Sequence, residues 1–191
     1  MKPWLLNIMA CPMCKSHPLD AYFFKWENSE DDLRILAEQS GKPSSAFSKS
    51  YHHTVNQVFD GTITLEAMAR VKDETLNPDA KELMVRGLHG LDEITRSKDP
   101  ISSAEKVLAT LLPEVDALYR YLNLIDVEEG LLHCNKCSRW YPIGSSVPAI
   151  PEMLPDELRE KQKDLGFLKK WENRTPSEVT TKGKPFNLKE Q

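Results

Sequence analysis

Cysteine spacing constrains this 191-residue chain more than any other feature, because its four cysteines fall into two C-x2-C pairs, Cys11-Pro12-Met13-Cys14 near the start and Cys134-Asn135-Lys136-Cys137 far downstream. A C-x2-C turn holds two thiolates on one side of a tight chain reversal. Two such turns brought together place four sulfurs at the corners of a tetrahedron, the geometry structural zinc accepts. Soft thiolates disfavour calcium and magnesium and leave another soft-site metal such as iron as the alternative ion. With all four ligands supplied by cysteine, no position is open for water, so the expected metal is structural: one Zn2+ per chain on Cys11, Cys14, Cys134 and Cys137. Lys15, Lys136 and Arg139 flank the pairs, where positive charge offsets a four-thiolate centre.

The competing reading is two independent dithiols, one of them a redox centre, which would place a strand before the pair and a helix after it. Neither flank fits, since Cys14 is followed by Lys15-Ser16-His17-Pro18 and Cys137 by a strand-like Trp140-Tyr141-Pro142-Ile143. Closing the chain between the pairs costs roughly 4 kcal/mol, against about 10 kcal/mol or more for binding of a structural zinc. One metal can therefore clip the early and late segments into a single small module, and what lies between becomes an insertion. His17 and His133 lie beside the pairs and read as bystanders to a complete set of thiolates; His52 and His53 lack a glutamate at hydrolase spacing.

Twenty-five Lys and Arg against twenty-nine Asp and Glu give a net charge of -4, which supplies no averaged attraction for phosphate. Hydrophobic residues make up 40% of the chain, without an apolar run near the ~20 residues of a bilayer crossing. The opening Met1-Lys2-Pro3-Trp4-Leu5-Leu6 carries no cleavage pattern before Cys11, so the expected location is cytoplasmic, away from any membrane.

The fold class read from the pattern is α+β: a small zinc-ribbon-like antiparallel β module built from both ends of the chain, residues 1–28 plus 124–154, with a helical insertion domain over 29–123 and a C-terminal helix and mobile tail over 155–191. Leu19, Tyr22, Phe23 and Phe24 read as a buried strand. Ser29 followed by Asp32 caps a helix that Gly41-Lys42-Pro43 stops. Lys42–Gly61 reads as loop or helix and Thr62–Lys72 as helix. Ala80–Arg86 reads as a short helix closed by Gly87 and Gly90. A strong helical stripe beginning at Ser102 carries Val107, Leu111, Val115, Leu118 and Leu122, with Pro113 kinking or dividing it. The insertion is expected to have a small core of its own. Leu124–Val127 and Gly130–His133 flank Glu128-Glu129 and read as a hairpin, which Trp140–Ile143 extends. Pro155–Trp171 reads as a helix with one apolar edge, and Thr175–Gln191 as a tail with little to bury. No phosphate loop, nucleophile elbow or catalytic acid pair stands out.

The wording Glu129-Gly130-Leu131-Leu132-His133-Cys134-Asn135-Lys136-Cys137-Ser138-Arg139-Trp140-Tyr141-Pro142-Ile143, then Val147-Pro148-Ala149-Ile150 and Met153-Leu154, resembles the small zinc-binding activator subunit of methyltransferases that modify tRNA, rRNA and translation release factor. Met1–Leu6 running through Cys11–Cys14 to Pro18-Leu19 resembles the amino-terminal segment of the same family. The resemblance implies zinc on the four cysteines and no active site. It implies heterodimers with one or more Rossmann-like, S-adenosylmethionine-dependent methyltransferases, whose sheet the zinc module joins beside an edge strand. RNA contact would arise only through the complex. Carried onto this chain, the partner-binding stretch is Trp140, Tyr141, Pro142 and Ile143 followed by Val147, Pro148, Ala149 and Ile150, with alternation assigning one face of the strand to the partner and one to the core. The sequence departs from the family wording at Gly144-Ser145-Ser146, and residues 155–191 extend past the family's usual end.

A second function class is a nucleic-acid-binding zinc ribbon of the transcription or translation machinery, in which Lys15, Lys136 and Arg139 meet phosphates and Trp140 and Tyr141 stack on bases.

Overall fold

The computed structural model describes residues 1–75, 77–98 and 103–189. Strands β1 (Asp20–Trp26), β2 (Val71–Asp73), β3 (Val127–His133) and β4 (Trp140–Ile143) form one sheet in the order β2-β1-β3-β4. β1 and β3 come from opposite ends of the chain and pair antiparallel, as do β3 and β4, which gives the α+β, zinc-ribbon-like arrangement expected. The early segment is also tied to the late one at its first residue, whose ammonium donates to the Val127 carbonyl at 2.7 Å.

The insertion contributes to the sheet as well. Thr62–Lys72 does not form the expected helix: helix α3 is the single turn Leu65–Met68, capped by Thr64, and β2 follows it, parallel to β1. Val71 and Asp73 turn inward and Lys72 outward, a period of two that a helix cannot satisfy. The expected hairpin at Glu128-Glu129 is also absent, because β3 runs straight through both residues. Their charges are matched across the sheet surface, Glu128 by Lys25 at 2.7 Å and Glu129 by Lys170 at 2.6 Å, so they sit comfortably in a strand. The reversal between β3 and β4 is the second cysteine knuckle itself.

Alternation gives the sheet two apolar faces. Ala21, Phe23, Leu132, Tyr141 and Ile143 point to one side and join a single cluster with Leu83, Leu91, Val115, Leu118 and Leu122 of the insertion. Among the described residues the insertion therefore has no separate core; sheet and helices share one. Its helices are α1 (Glu30–Gln39), α2 (Ser48–Phe59), α4 (Pro78–Arg96), α5 (Ala104–Thr110) and α6 (Leu112–Asn123). The Ser29–Asp32 capping box opens α1 as expected. Pro113 divides the long stripe rather than kinking it, since α6 starts anew at Leu112. The cap of α5 is Ser103; Ser102 lies outside the described residues.

Helix α4 runs through both glycines expected to end it. A Cβ on Gly87 would lie 2.6 Å from the Tyr121 Cβ, and one on Gly90 2.4 Å from the Glu114 carbonyl oxygen. The glycines are the points where α6 lies directly against α4, not stop signals. A buried ion pair locks the same region: Asp116 accepts from Arg120 Nε at 2.8 Å, the Tyr51 hydroxyl at 2.6 Å and the Gly41 N–H at 2.9 Å.

The other sheet face, formed by Phe24, Leu131 and Trp140, is covered by the C-terminal segment. There α7 (Lys161–Lys170) delivers Phe167 and Leu168 to the face, and α8 (Ser177–Lys182) delivers Val179. Gly166 does not interrupt α7. Residues from Thr175 to Lys189 are not the mobile tail expected from their composition: Val179 is fully buried, and Leu188 packs at the rim of the same cluster. A few apolar residues suffice because Trp140 offers a large surface for them to cover. The terminal residues 190 and 191 lie outside the described residues. Among the described residues, no helix is long and apolar enough to cross a membrane.

Candidate metal centre

Both cysteine pairs sit in the same turn. In the first, Cys11 N–H donates to the Ser16 carbonyl at 2.9 Å and Lys15 N–H to the Cys11 carbonyl at 2.8 Å; in the second, Cys134 N–H donates to the Arg139 carbonyl and Ser138 N–H to the Cys134 carbonyl, each at 2.8 Å. Lys15 and Ser138, each directly after the second cysteine of its pair, both adopt positive φ, 60° and 59°. This left-handed residue closes the reversal and leaves both thiols of a pair on one side.

β1 leads away from the first turn and β3 leads into the second, so antiparallel pairing of Asp20 with His133 brings the turns together. All four sulfurs lie within 4.8 Å of one another. The contacts across the turns are 3.6 Å for Cys11–Cys137 and 3.5 Å for Cys14–Cys134. A tetrahedral Zn–S4 centre with bonds of about 2.3 Å has sulfurs about 3.8 Å apart, so the set fits a zinc-sized ion. It does not fit disulfides, whose sulfurs are about 2.05 Å apart, and the four cysteines are free.

Electrostatics favour a cation in the cage. Burial opposes ionisation of Cys11, but hydrogen bonds from the Tyr141 hydroxyl, the N–H groups of Cys14 and Met13, and Cys137 outweigh it and bring the thiol down to about 6. Burial pushes Cys134 up to about 12. One cage therefore holds a readily ionised thiol beside one that keeps its proton, and a divalent ion is what lets every sulfur become a thiolate together. Arg139 adds fixed positive charge: it is held charged first by its hydrogen bonds to Asp156 and next by Cys137.

The four cysteines expected to share one site thus lie together. The histidines stay outside the cluster; His133 is buried with Nδ1 3.4 Å from Glu178, and His17 is exposed. Two supporting residues were not anticipated. The Tyr141 hydroxyl lies 3.2 Å from Cys11 Sγ, and Asn135 Nδ2 donates to Asp20 at 2.6 Å across the mouth of the site. Alternation along β4 could have placed Tyr141 on the Cys11 side; nothing in the sequence marked the Asn135–Asp20 pair.

The stretch read as partner-facing divides. Trp140, Tyr141 and Ile143 are all 0% exposed, so both faces of β4 are packed within this chain, Tyr141 and Ile143 in the main core and Trp140 under the C-terminal segment. Their burial also removes base stacking by Trp140 and Tyr141, and Arg139 is engaged by Asp156 rather than open to phosphate. By contrast, Val147 and Ile150 stand 55% and 53% exposed, with Pro148 exposed between them and Ala149 half-buried.

Residues 2–144 match the model of the Trm112p-like protein family. The chain belongs to the Trm112p-like family. That family is the activator subunit family of methyltransferases, and the matched span of this Trm112p-like chain contains all four cysteines, the insertion and the whole sheet. It ends at Gly144, just beyond β4. No curated protein and no solved structure matches the chain.

Proposed function

We propose that this chain is a non-catalytic zinc-binding subunit that binds, stabilises and activates one or more S-adenosylmethionine-dependent methyltransferases of Rossmann-like fold, acting on tRNA, rRNA or a translation factor. The observation that carries the reading is the four-sulfur cluster within the family-matched span. In this reading Cys11, Cys14, Cys134 and Cys137 hold one structural Zn2+, which fixes the two chain ends and so sets the position of β4 and the loop after it.

The chain contributes surface rather than chemistry. Val147, Pro148 and Ile150, with Ala149, supply the exposed apolar part of the contact, and removal of such side chains from water is worth roughly 25 cal/mol per square ångström. Trp140, Tyr141, Pro142 and Ile143 act through the backbone and position of β4, their side chains being buried. The complex is a cytoplasmic heterodimer, and RNA is met only by the assembled pair.

Affinity capture of the tagged full-length chain from its own organism's lysate tests this, with mass spectrometry of the co-eluting proteins and zinc quantified in the same eluate. The expected result is zinc near one per chain together with a methyltransferase. Zinc with RNA or ribosomal components and no methyltransferase would overturn it in favour of a nucleic-acid-binding ribbon.

A further inference from the structure

The outward-facing main-chain groups of β4, and the N–H of Gly144 after it, have partners, and every partner lies beyond the family-matched span. Trp140 N–H donates to the Lys184 carbonyl at 3.2 Å, and the Trp140 carbonyl accepts from Arg159 Nη1 at 2.7 Å. The Pro142 carbonyl accepts from Glu152 N–H at 2.8 Å, and Gly144 N–H donates to Ile150 at 2.9 Å. Pro142 has no N–H to satisfy. The face beside this edge is closed in the same way: Phe167 and Leu168 pack on Phe24, Leu131 and Trp140, and Trp171 stacks on Phe24 at 5.1 Å. Ile150 and Glu152 hold the Pro142–Gly144 end of the edge; without residues 155–189, its Trp140 end and the adjacent apolar face would stand open together, the combination that strand addition by another chain exploits.

The cover is attached in a way that can be exchanged. Among the described residues, its β pairing beside β4 is one isolated bridge, Lys184 with Arg139 just before the strand, rather than a ladder. Much of the remaining attachment is made by side chains at the rim: Asp156 on Arg139, Lys170 and Trp171 on Glu129, and Arg174 on the Phe24 carbonyl. Arg159 lies 4.7 Å over the Trp140 ring.

We propose that residues 155–189 are a built-in occupant of a strand-docking surface, and that a protein partner reaches the Trp140 end of the β4 edge and the face beside it only by displacing them. The inference rests on the proposed function and adds a condition to it: the free chain is self-covered, and partner docking and segment release are one event. The segment that fits is an extended strand. It offers a carbonyl to Trp140 N–H, a donor to the Trp140 carbonyl, and an apolar side chain to the indole.

Trp171→Ala and Arg174→Ala in the full-length chain test this, titrated against the separately purified methyltransferase recovered by the capture described above. Each weakens the cover without touching the cysteines. The expected result is a lower Tm for the free variant and roughly tenfold tighter partner binding, opposite signs that a purely structural role would not produce. In the wild-type complex, hydrogen exchange should show the Gly183–Lys184 amides exposed and β4 still protected. Unchanged or weaker binding, with Gly183–Lys184 protected in the complex, would overturn the inference and leave the activator role standing. If wild type and both variants bind no methyltransferase, the proposed function itself falls and takes the inference with it.

Discussion

The Tyr141 hydroxyl lies 3.2 Å from the Cys11 sulfur, so the strand that ends the family-matched span also reaches into the metal cage. A hydrogen-bond partner of a ligating sulfur orients it and stabilises its thiolate form. Tyr141→Phe keeps the buried ring and removes only that bond. We expect metal affinity to fall by about tenfold or more, read by chelator competition, with the fold retained.

Metal uptake is expected to release protons and to weaken on acidification. Cys134, pushed up to about 12, is protonated at neutral pH and must lose its proton to bind. Cys11, brought down from 9.0 to about 6, is largely ionised there and becomes protonated as the pH falls through that value. The sign for the metal-free fold follows: a depressed thiol pKa contributes stability that is fully present above the unfolded value and is lost as pH falls through the folded one. Calorimetric metal titrations in buffers of different ionisation enthalpy check the proton count, and affinity should drop between about pH 7 and pH 5.

The same substitution is expected to have opposite effects at two helical glycines. In α4, Gly90→Ala drives a Cβ to 2.4 Å from the Glu114 carbonyl oxygen, and the displaced α6 should cost about 1–3 kcal/mol. In α7, a Cβ on Gly166 meets nothing within 4 Å, so Gly166→Ala should stabilise by about 0.5–1 kcal/mol. Urea unfolding of the two variants measures both.

Asp116 is 0% exposed and carries three donors from three parts of the insertion. Asp116→Ala leaves Arg120 charged and buried without its partner, a loss of about 3–5 kcal/mol measurable by the same unfolding assay.

What the sequence made legible was local. The cysteine turns, the Ser29–Asp32 cap and the stripe broken at Pro113 are written in neighbouring residues, and each has its physical cause within a few positions. What it hid depends on distant partners. Gly87 and Gly90 look like helix stops until Tyr121 and Glu114 arrive against them. Val71–Asp73 is too short to show a strand's alternation until β1 pairs with it. The C-terminal segment seems to have nothing to bury because the surface it covers is made by Phe24 and Trp140, one from each half of the module and neither from the segment itself. For that same reason, the sequence did not show that Trp140, read as partner-facing, is covered within this chain by Phe167, Leu168 and Val179.

In the proposed function the chain activates a methyltransferase without catalysing methyl transfer itself. Methyl transfer from S-adenosylmethionine should be measured with the captured methyltransferase alone, with the zinc-loaded chain alone, and with both together. We expect no transfer by the chain, weak or unstable activity from the methyltransferase, and a strong, sustained rate from the pair. Transfer by the chain alone, or a rate for the pair no greater than that of the methyltransferase, would contradict it.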